Sequence, residues 1–222
     1  MRVNGQNTSH AVMAQRTETS YSLDDFPTPP WATRALFEFG PDELYEEVSA
    51  REPCAGRGYM VRVLEEYFGA DLVEGSDIHD YGAGFPVRDY LAGPVPPPVG
   101  WTITNPPFRL AERFVARALE SSRRGVAIFA RTSFLEGIGR WQRLWSVTPP
   151  TEVLQFAERV PIHKGRLVPD GSTATAYCWI VWVRERPRLS SPLRGPTELR
   201  WIAPCRKELE RETDYPGTME DA

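Results

Sequence analysis

Between residues 30 and 183 short apolar or β-branched runs alternate with amphipathic helical stretches, and this rhythm limits the possible folds more than any other feature. The runs within "EEVSAREP", "DLVEGSDIHD", "WTITN" and "GVAIFA" are strand-length and carry residues that suit a pleated surface. Between them lie helical patterns. "WATRALFEF" puts Trp31, Ala35, Leu36 and Phe39 on one face, and Thr28 is placed to cap the prolines that open it. The helix after "EPCAGRG" turns Val61, Leu64 and Phe68 inward, and "LAERFVARALESS" carries the stripe Leu110, Phe114 and Ala118. Strands joined by helices imply right-handed crossovers and a mostly parallel sheet covered on both faces. "FLEGIGRWQRLWSV" reads as one more helix. The rhythm breaks only at "PIHKGRLVPDGS", which has no helical period, so "EVLQFAERV" and "TAYCWIVWV" are expected to pair as an antiparallel hairpin.

The length of 222 residues suits one α/β domain, placed at 23–186. Residues 1–22 are polar and without apolar period, as in a disordered arm. Residues 187–222 read as an extension wrapping the surface, with one short apolar piece at 199–203. Cys54, Cys178 and Cys205 are widely spaced and the three histidines do not cluster, so neither a disulfide framework nor a metal site is expected. No signal segment or bilayer-length apolar run is evident, so the expectation is a cytoplasmic protein with no membrane partner. The net charge of −4 conceals an asymmetry, since residues 1–100 hold 7 Lys/Arg against 16 Asp/Glu while 101–222 hold 19 against 14. The arginine-rich stretch 109–143 is either a footprint for a polyanion or a set of solvated helix faces.

In an open parallel sheet, ligands sit outside the carboxyl ends of the strands. At the first such end, Gly56 and Gly58 allow close backbone approach, and the following helix aims its N-terminus at whatever binds there. A tight structural turn would look the same. About 20 residues on, Asp77 closes the second strand where an acid accepts from ribose hydroxyls, which implies a nucleoside-containing cofactor. Glu52 would repel a pyrophosphate and suits a cationic amine instead. Ile78 is a candidate for the adenine face, and Asp89 is either an acceptor for the adenine amine or a turn cap. In "TITNPPFRL" the prolines end the third strand and leave Asn105, Pro106, Pro107 and Phe108 in a stiff loop.

In this order along the chain, "DFPTPP", "EPCAGRG", "SDIHD", "RDY" and "NPPF" resemble the motifs of S-adenosylmethionine-dependent amino-methyltransferases acting on adenine in DNA. The resemblance spans roughly residues 24 to 183. It implies a Rossmann-like sheet of seven strands whose last strand is antiparallel, and S-adenosylmethionine as cofactor. It also adds Phe26, Thr28, Pro29, Pro53, Cys54 and Tyr90 to the cofactor side. Cys54 stands where many members carry a bulky aromatic residue. Between "EPCAGRG" and "NPPF" and after Val183 no extended segment is large enough for the family's separate target-recognition domain, so sequence specificity of the usual kind is not expected.

The resemblance gives the stiff loop a chemical reading. The Asn105 side-chain oxygen and the Pro106 carbonyl accept the two hydrogens of a conjugated amine, which is otherwise a poor nucleophile, and Phe108 stacks on an extruded base. Arg109, Arg131, His163, Lys164 and Arg166 are the substrate-side candidates, although His163 and Lys164 read equally well as exposed loop residues. The expected partner is DNA. RNA bases and a protein glutamine amide remain alternatives, as does a catalytically silent fold that binds nucleic acid.

Overall fold

The computed structural model describes residues 24–46, 49–169, 171–184 and 196–215. The expected N-terminal arm, 1–22, and much of the expected extension, 187–222, lie outside the described residues. Among these residues seven strands form one sheet: β1 (Ala50–Glu52), β2 (Val73–Gly75), β3 (Val99–Thr104), β4 (Ser122–Arg131), β5 (Glu152–Phe156), β6 (Tyr177–Val183) and β7 (Glu198–Ile202). Their order is β2-β1-β3-β4-β6-β5-β7. β6 runs antiparallel to both neighbours, β4 and β5, while every other pairing is parallel. The sheet is therefore α/β and mostly parallel, with the expected hairpin of β5 and β6.

Period-two alternation assigns the two faces. Trp101, Ile103, Ala127, Phe129, Trp179 and Val181 pack on one side with Trp31 and Leu36 of α1 (Pro30–Phe39) and Leu64 of α2 (Tyr59–Phe68). Val126, Ile128, Ile180 and Trp182 face the other side, against Val115 and Ala118 of α3 (Ala111–Glu120). Four fully buried tryptophans supply much of this core, and Trp179 Nε1 donates to the Ala32 carbonyl at 2.8 Å, so its polar atom is satisfied inside. No helix among the described residues is long and apolar enough to cross a membrane.

Four local expectations need correction. Thr28 does not cap α1, whose N-cap is Pro29 with no side-chain bond; the Thr28 hydroxyl is engaged elsewhere, as described below. Leu110 is not in the apolar stripe of α3 but precedes the helix and is partly exposed. The stretch after β4 is no single helix: a 3-10 turn (Thr132–Leu135), a helical turn (Ile138–Arg140) and a π turn (Trp141–Trp145) follow each other. Gly137, at φ 115°, explains the break, because that backbone cannot continue a helix. Finally, the seventh strand is not the antiparallel one. β6 takes that role, and the tail piece Glu198–Ile202 adds a parallel edge strand beside β5 instead of wrapping the surface.

This topology positions the site. After β1 the chain moves outward to β2, then returns to place β3 on the other side of β1. At such a reversal the connections leave in opposite directions and open a crevice at the strand ends. The residues that close β1 and β3 are Glu52 and Thr104, with Asn105 next in line.

Candidate active site

A cleft of about 890 Å³, counted to its open mouth, lies at this reversal. Its floor is the turn from β1 into α2. The Ser76 amide donates to the Glu52 carbonyl at 3.0 Å and Ala55 N–H to the Ser76 carbonyl at 2.9 Å, so the β1–β2 ladder runs on into the turn. Gly56 (φ 52°) and Gly58 (φ 81°) then bend the chain through the left-handed region into α2. Gly56 lines the cleft. Gly58 does not, because its α-carbon lies under the Phe85 ring, where a Cβ would come within 2.9 Å of that ring.

Glu52 is 1% exposed. Its Oε1 accepts from the Cys54 amide at 2.7 Å and the Thr104 hydroxyl at 2.6 Å, while Oε2 is buried with no partner among the described residues. Burial, with the nearby Asp77 charge, pushes the carboxyl up to about 8, against the pull of the Thr104 hydroxyl and the Cys54 and Asn105 amides. Such an acid wants a cation. Pro53 and Cys54 line the same floor, and burial holds the Cys54 thiol well above its ordinary value, so it is not a ready nucleophile.

Asp77, just past β2, is fixed from two sides: Oδ2 accepts the Gly56 amide at 2.8 Å and Oδ1 the His79 amide at 3.1 Å. Each oxygen retains acceptor capacity for a hydroxyl. Ile78 is 61% exposed on the rim beside it. Asp89 does cap a turn, accepting the Leu91 amide at 2.8 Å through Oδ1, and it also lines the cleft. Tyr90 contributes its ring to the wall; its hydroxyl is engaged with Ser121 Oγ at 3.1 Å and its ring lies 5.4 Å from Phe114.

The stiff loop closes the cleft from the β3 side. Asn105 Nδ2 donates to the Phe26 carbonyl at 2.8 Å and to Thr28 Oγ1 at 3.0 Å. A carbonyl can only accept, so this pairing fixes which end of the amide is nitrogen. Both amide hydrogens are thereby held by the segment 26–28, and Oδ1 is left as the acceptor. Pro107 lines the cleft with Asn105, and its carbonyl accepts the Leu110 amide at 2.9 Å, starting the turn into α3. Pro106 and Phe108 instead line a second cavity of about 480 Å³, likewise counted to its open mouth, next to Arg131. The structure thus makes the loop a partition with one face toward each cavity. Pro29 reaches neither and only begins α1.

Sequence reasoning missed the groups that hold this partition. Asp24 Oδ2 accepts the Phe108 amide at 2.8 Å, and Asp25 pairs with Arg57 at 2.7 Å while its carbonyl accepts the Gly165 amide at 2.9 Å. The doubled acid in "DDFP" was a visible signal; nothing in the chain pointed to Gly165. Through that bond the hairpin loop docks onto residues 24–28. Lys164 and Arg166 are exposed on it, whereas half-buried His163 turns inward beside Gly171, away from both cavities. Arg109 is exposed in the turn after Phe108 and lines neither cavity.

No protein-family model matches the chain, and no curated protein matches it. Solved structures do. A candidate class I S-adenosylmethionine-dependent methyltransferase from Listeria monocytogenes superposes with TM-score 0.56 at 11% identity, over 81% of this chain and 67% of that one. The type I restriction enzyme EcoKI M protein gives 0.54 at 12% identity, over 83% and 49%. A candidate RNA methyltransferase from Pyrococcus horikoshii gives 0.51 at 16% identity, over 70% and 84%. The chain spans about half the length of the EcoKI subunit. At these identities the likeness establishes architecture: this chain has the α/β fold of S-adenosylmethionine-dependent methyltransferases.

Proposed function

We propose that the chain is an S-adenosylmethionine-dependent methyltransferase acting on the exocyclic amine of adenine in DNA. One observation carries the reading. The Asn105 amide has both hydrogens tied to Phe26 and Thr28, so its oxygen is presented as a fixed acceptor at the end of β3, in the same cleft as Glu52 and Asp77. The residues fit the cofactor. The orphaned, buried Glu52 Oε2 would take its ammonium group, Asp77 its ribose hydroxyls, and Ile78 with Asp89 its adenine. Several acids and few cations around the cleft favour a positively charged ligand over a phosphorylated one.

When bound, S-adenosylmethionine would supply an electrophilic methyl group, its methyl–sulfur bond breaking as the nitrogen–carbon bond forms and the sulfur leaving as the neutral thioether of S-adenosylhomocysteine. The chain's own contribution is alignment. Asn105 Oδ1 and the Pro106 carbonyl accept the two amine hydrogens and favour a pyramidal nitrogen with its lone pair released from the ring. Neither amide oxygen is basic enough to take a proton, so the proton lost from nitrogen on N–C bond formation passes to solvent. Because the two prolines fix these acceptors before substrate arrives, little reorganisation accompanies the reaction. The DNA assignment draws on the basic 101–222 half, on exposed Arg109, Lys164 and Arg166, and on the likeness of the fold to a type I restriction enzyme M protein. The test is transfer of a labelled methyl group from S-adenosylmethionine to duplex DNA, RNA or lysate protein, followed by nucleoside analysis. N6-methyladenine in DNA is the expected product. Label confined to RNA or to glutamine would replace the substrate, and no cofactor binding by calorimetry would end the reading.

A further inference from the structure

The geometry points to a base clamp made by Arg131 and Phe108, a planar cation and an aromatic ring between which an extruded nucleobase is held. This rests on the proposed function and names the group that would grip its substrate. Arg131 is the last residue of β4, with backbone fixed by pairing to β6 at Tyr177, so only its side chain is free to move. The guanidinium lies 4.0 Å from the Phe108 ring centroid and 5.9 Å from that of Phe26, with the two rings 5.6 Å apart. Its Nε is buried without a hydrogen-bond partner among the described residues, while the guanidinium neighbours the Tyr177 hydroxyl. Its guanidinium carbon stands over the Phe108 ring, and the side chain borders the second cavity together with Pro106, Phe129 and Phe134.

Nucleobases stack on aromatic rings and on guanidinium planes alike. Stacked bases stand about 3.4 Å apart, so admitting one means opening the present 4.0 Å contact by roughly that distance. A long side chain can do this by rotamer change while Phe108 stays anchored through its amide to Asp24. The clamp also brings the base to the loop that carries Asn105, so gripping and amine alignment occur on one rigid segment.

The experiment uses the full chain and a duplex that it methylates. Arg131→Ala should raise the KM for DNA by about tenfold or more, the usual alanine cost of one base stack, and leave S-adenosylmethionine affinity unchanged. Arg131→Lys keeps the charge but not the plane, and should fail to restore KM. With 2-aminopurine at the target position, the wild type should keep the extruded base quenched and both variants should leave it brighter. A lysine variant with wild-type KM would show that Arg131 only neutralises phosphate, and a lowered KM in the alanine variant would show that it merely blocks the site; either overturns the clamp. Should Arg131→Ala not fold, Arg131→Gln against Arg131→Lys decides, since glutamine is planar and uncharged and should grip better than lysine. If the wild type methylates no nucleic acid at all, the functional reading fails and the clamp with it, a result distinct from a working enzyme indifferent to Arg131.

Discussion

Glu52, at the end of β1, and Asp214, near the end of the described residues, are both withdrawn from water, at 1% and 5% exposure, yet they are buried in opposite ways. Asp214 receives two hydrogen bonds of 2.8 Å from the Arg34 guanidinium, which also binds Glu66 at 2.8 and 2.9 Å and the Leu209 carbonyl at 2.8 Å. The carboxylate meets its cation inside the chain, and the segment 205–215 is fastened to α1 and α2. Among the described residues Glu52 has hydrogen bonds to one oxygen and no cation, and its other oxygen has no partner. Asn105 repeats that half-engaged pattern. A buried charge with its counter-ion serves the fold; a buried acid lacking one is stable only in its neutral form and is poised for a cation from outside. The contrast predicts that substitutions at the Arg34–Asp214 pair unfold the protein while those at Glu52 and Asn105 disable it.

The largest effect should follow Arg34→Ala, which strands Asp214 inside; breaking a buried pair costs about 3 to 5 kcal/mol, read as a fall in unfolding midpoint with methyl transfer intact below it. Replacing Arg34 by Met and Asp214 by Leu together should recover much of that loss, and a double variant as unstable as the single one would break the comparison. Next comes Asn105→Ala. Loss of one preorganised polar group costs on the order of 100-fold in turnover, and here the thermal midpoint should move far less than for Arg34→Ala. Near-normal transfer would remove Asn105 from the chemistry.

Glu52→Gln should act more mildly, weakening S-adenosylmethionine binding about tenfold, the scale of one charged hydrogen bond. Its clearer signature is in pH. The folded protein holds the Glu52 proton from the ordinary value of 4.5 up to about 8, so over that window it binds more protons than the unfolded chain and stability falls as pH rises. Cofactor affinity should run the other way, increasing toward pH 8 as the carboxylate forms. Both slopes should flatten in Glu52→Gln, as urea titrations and calorimetry at pH 6 and 8 would show. The smallest effect belongs to Lys164→Ala with Arg166→Ala on the docked loop. DNA affinity should drop for all sequences alike, with the log–log salt slope flatter by about one unit per lost phosphate contact. A change in the methylated sequence, with slope unaltered, would mean that the loop reads bases.

Sequence alone determined what is local. The alternation of β-branched runs with helical stripes gave the order of elements and the mostly parallel sheet, because periods of two and 3.6 report which side of a segment meets the core. The ends of β1 and β3 and the acid after β2 were legible for the same reason: Gly-rich and Pro-rich stops lie within a few residues of Glu52, Asp77 and Asn105. Tertiary structure decided the rest. Thr28 reads as a helix cap, and only the approach of Asn105, 77 positions away, turns its hydroxyl to another use. Gly165 reaches Asp25, and Arg131 covers Phe108, through packing that no spacing rule encodes. The tail strand Glu198–Ile202 is half polar and becomes a strand because β5 offers an unpaired edge. That Glu52 is an acid near a turn is written in the chain; that one of its oxygens is buried with no partner among the described residues depends on everything packed around it.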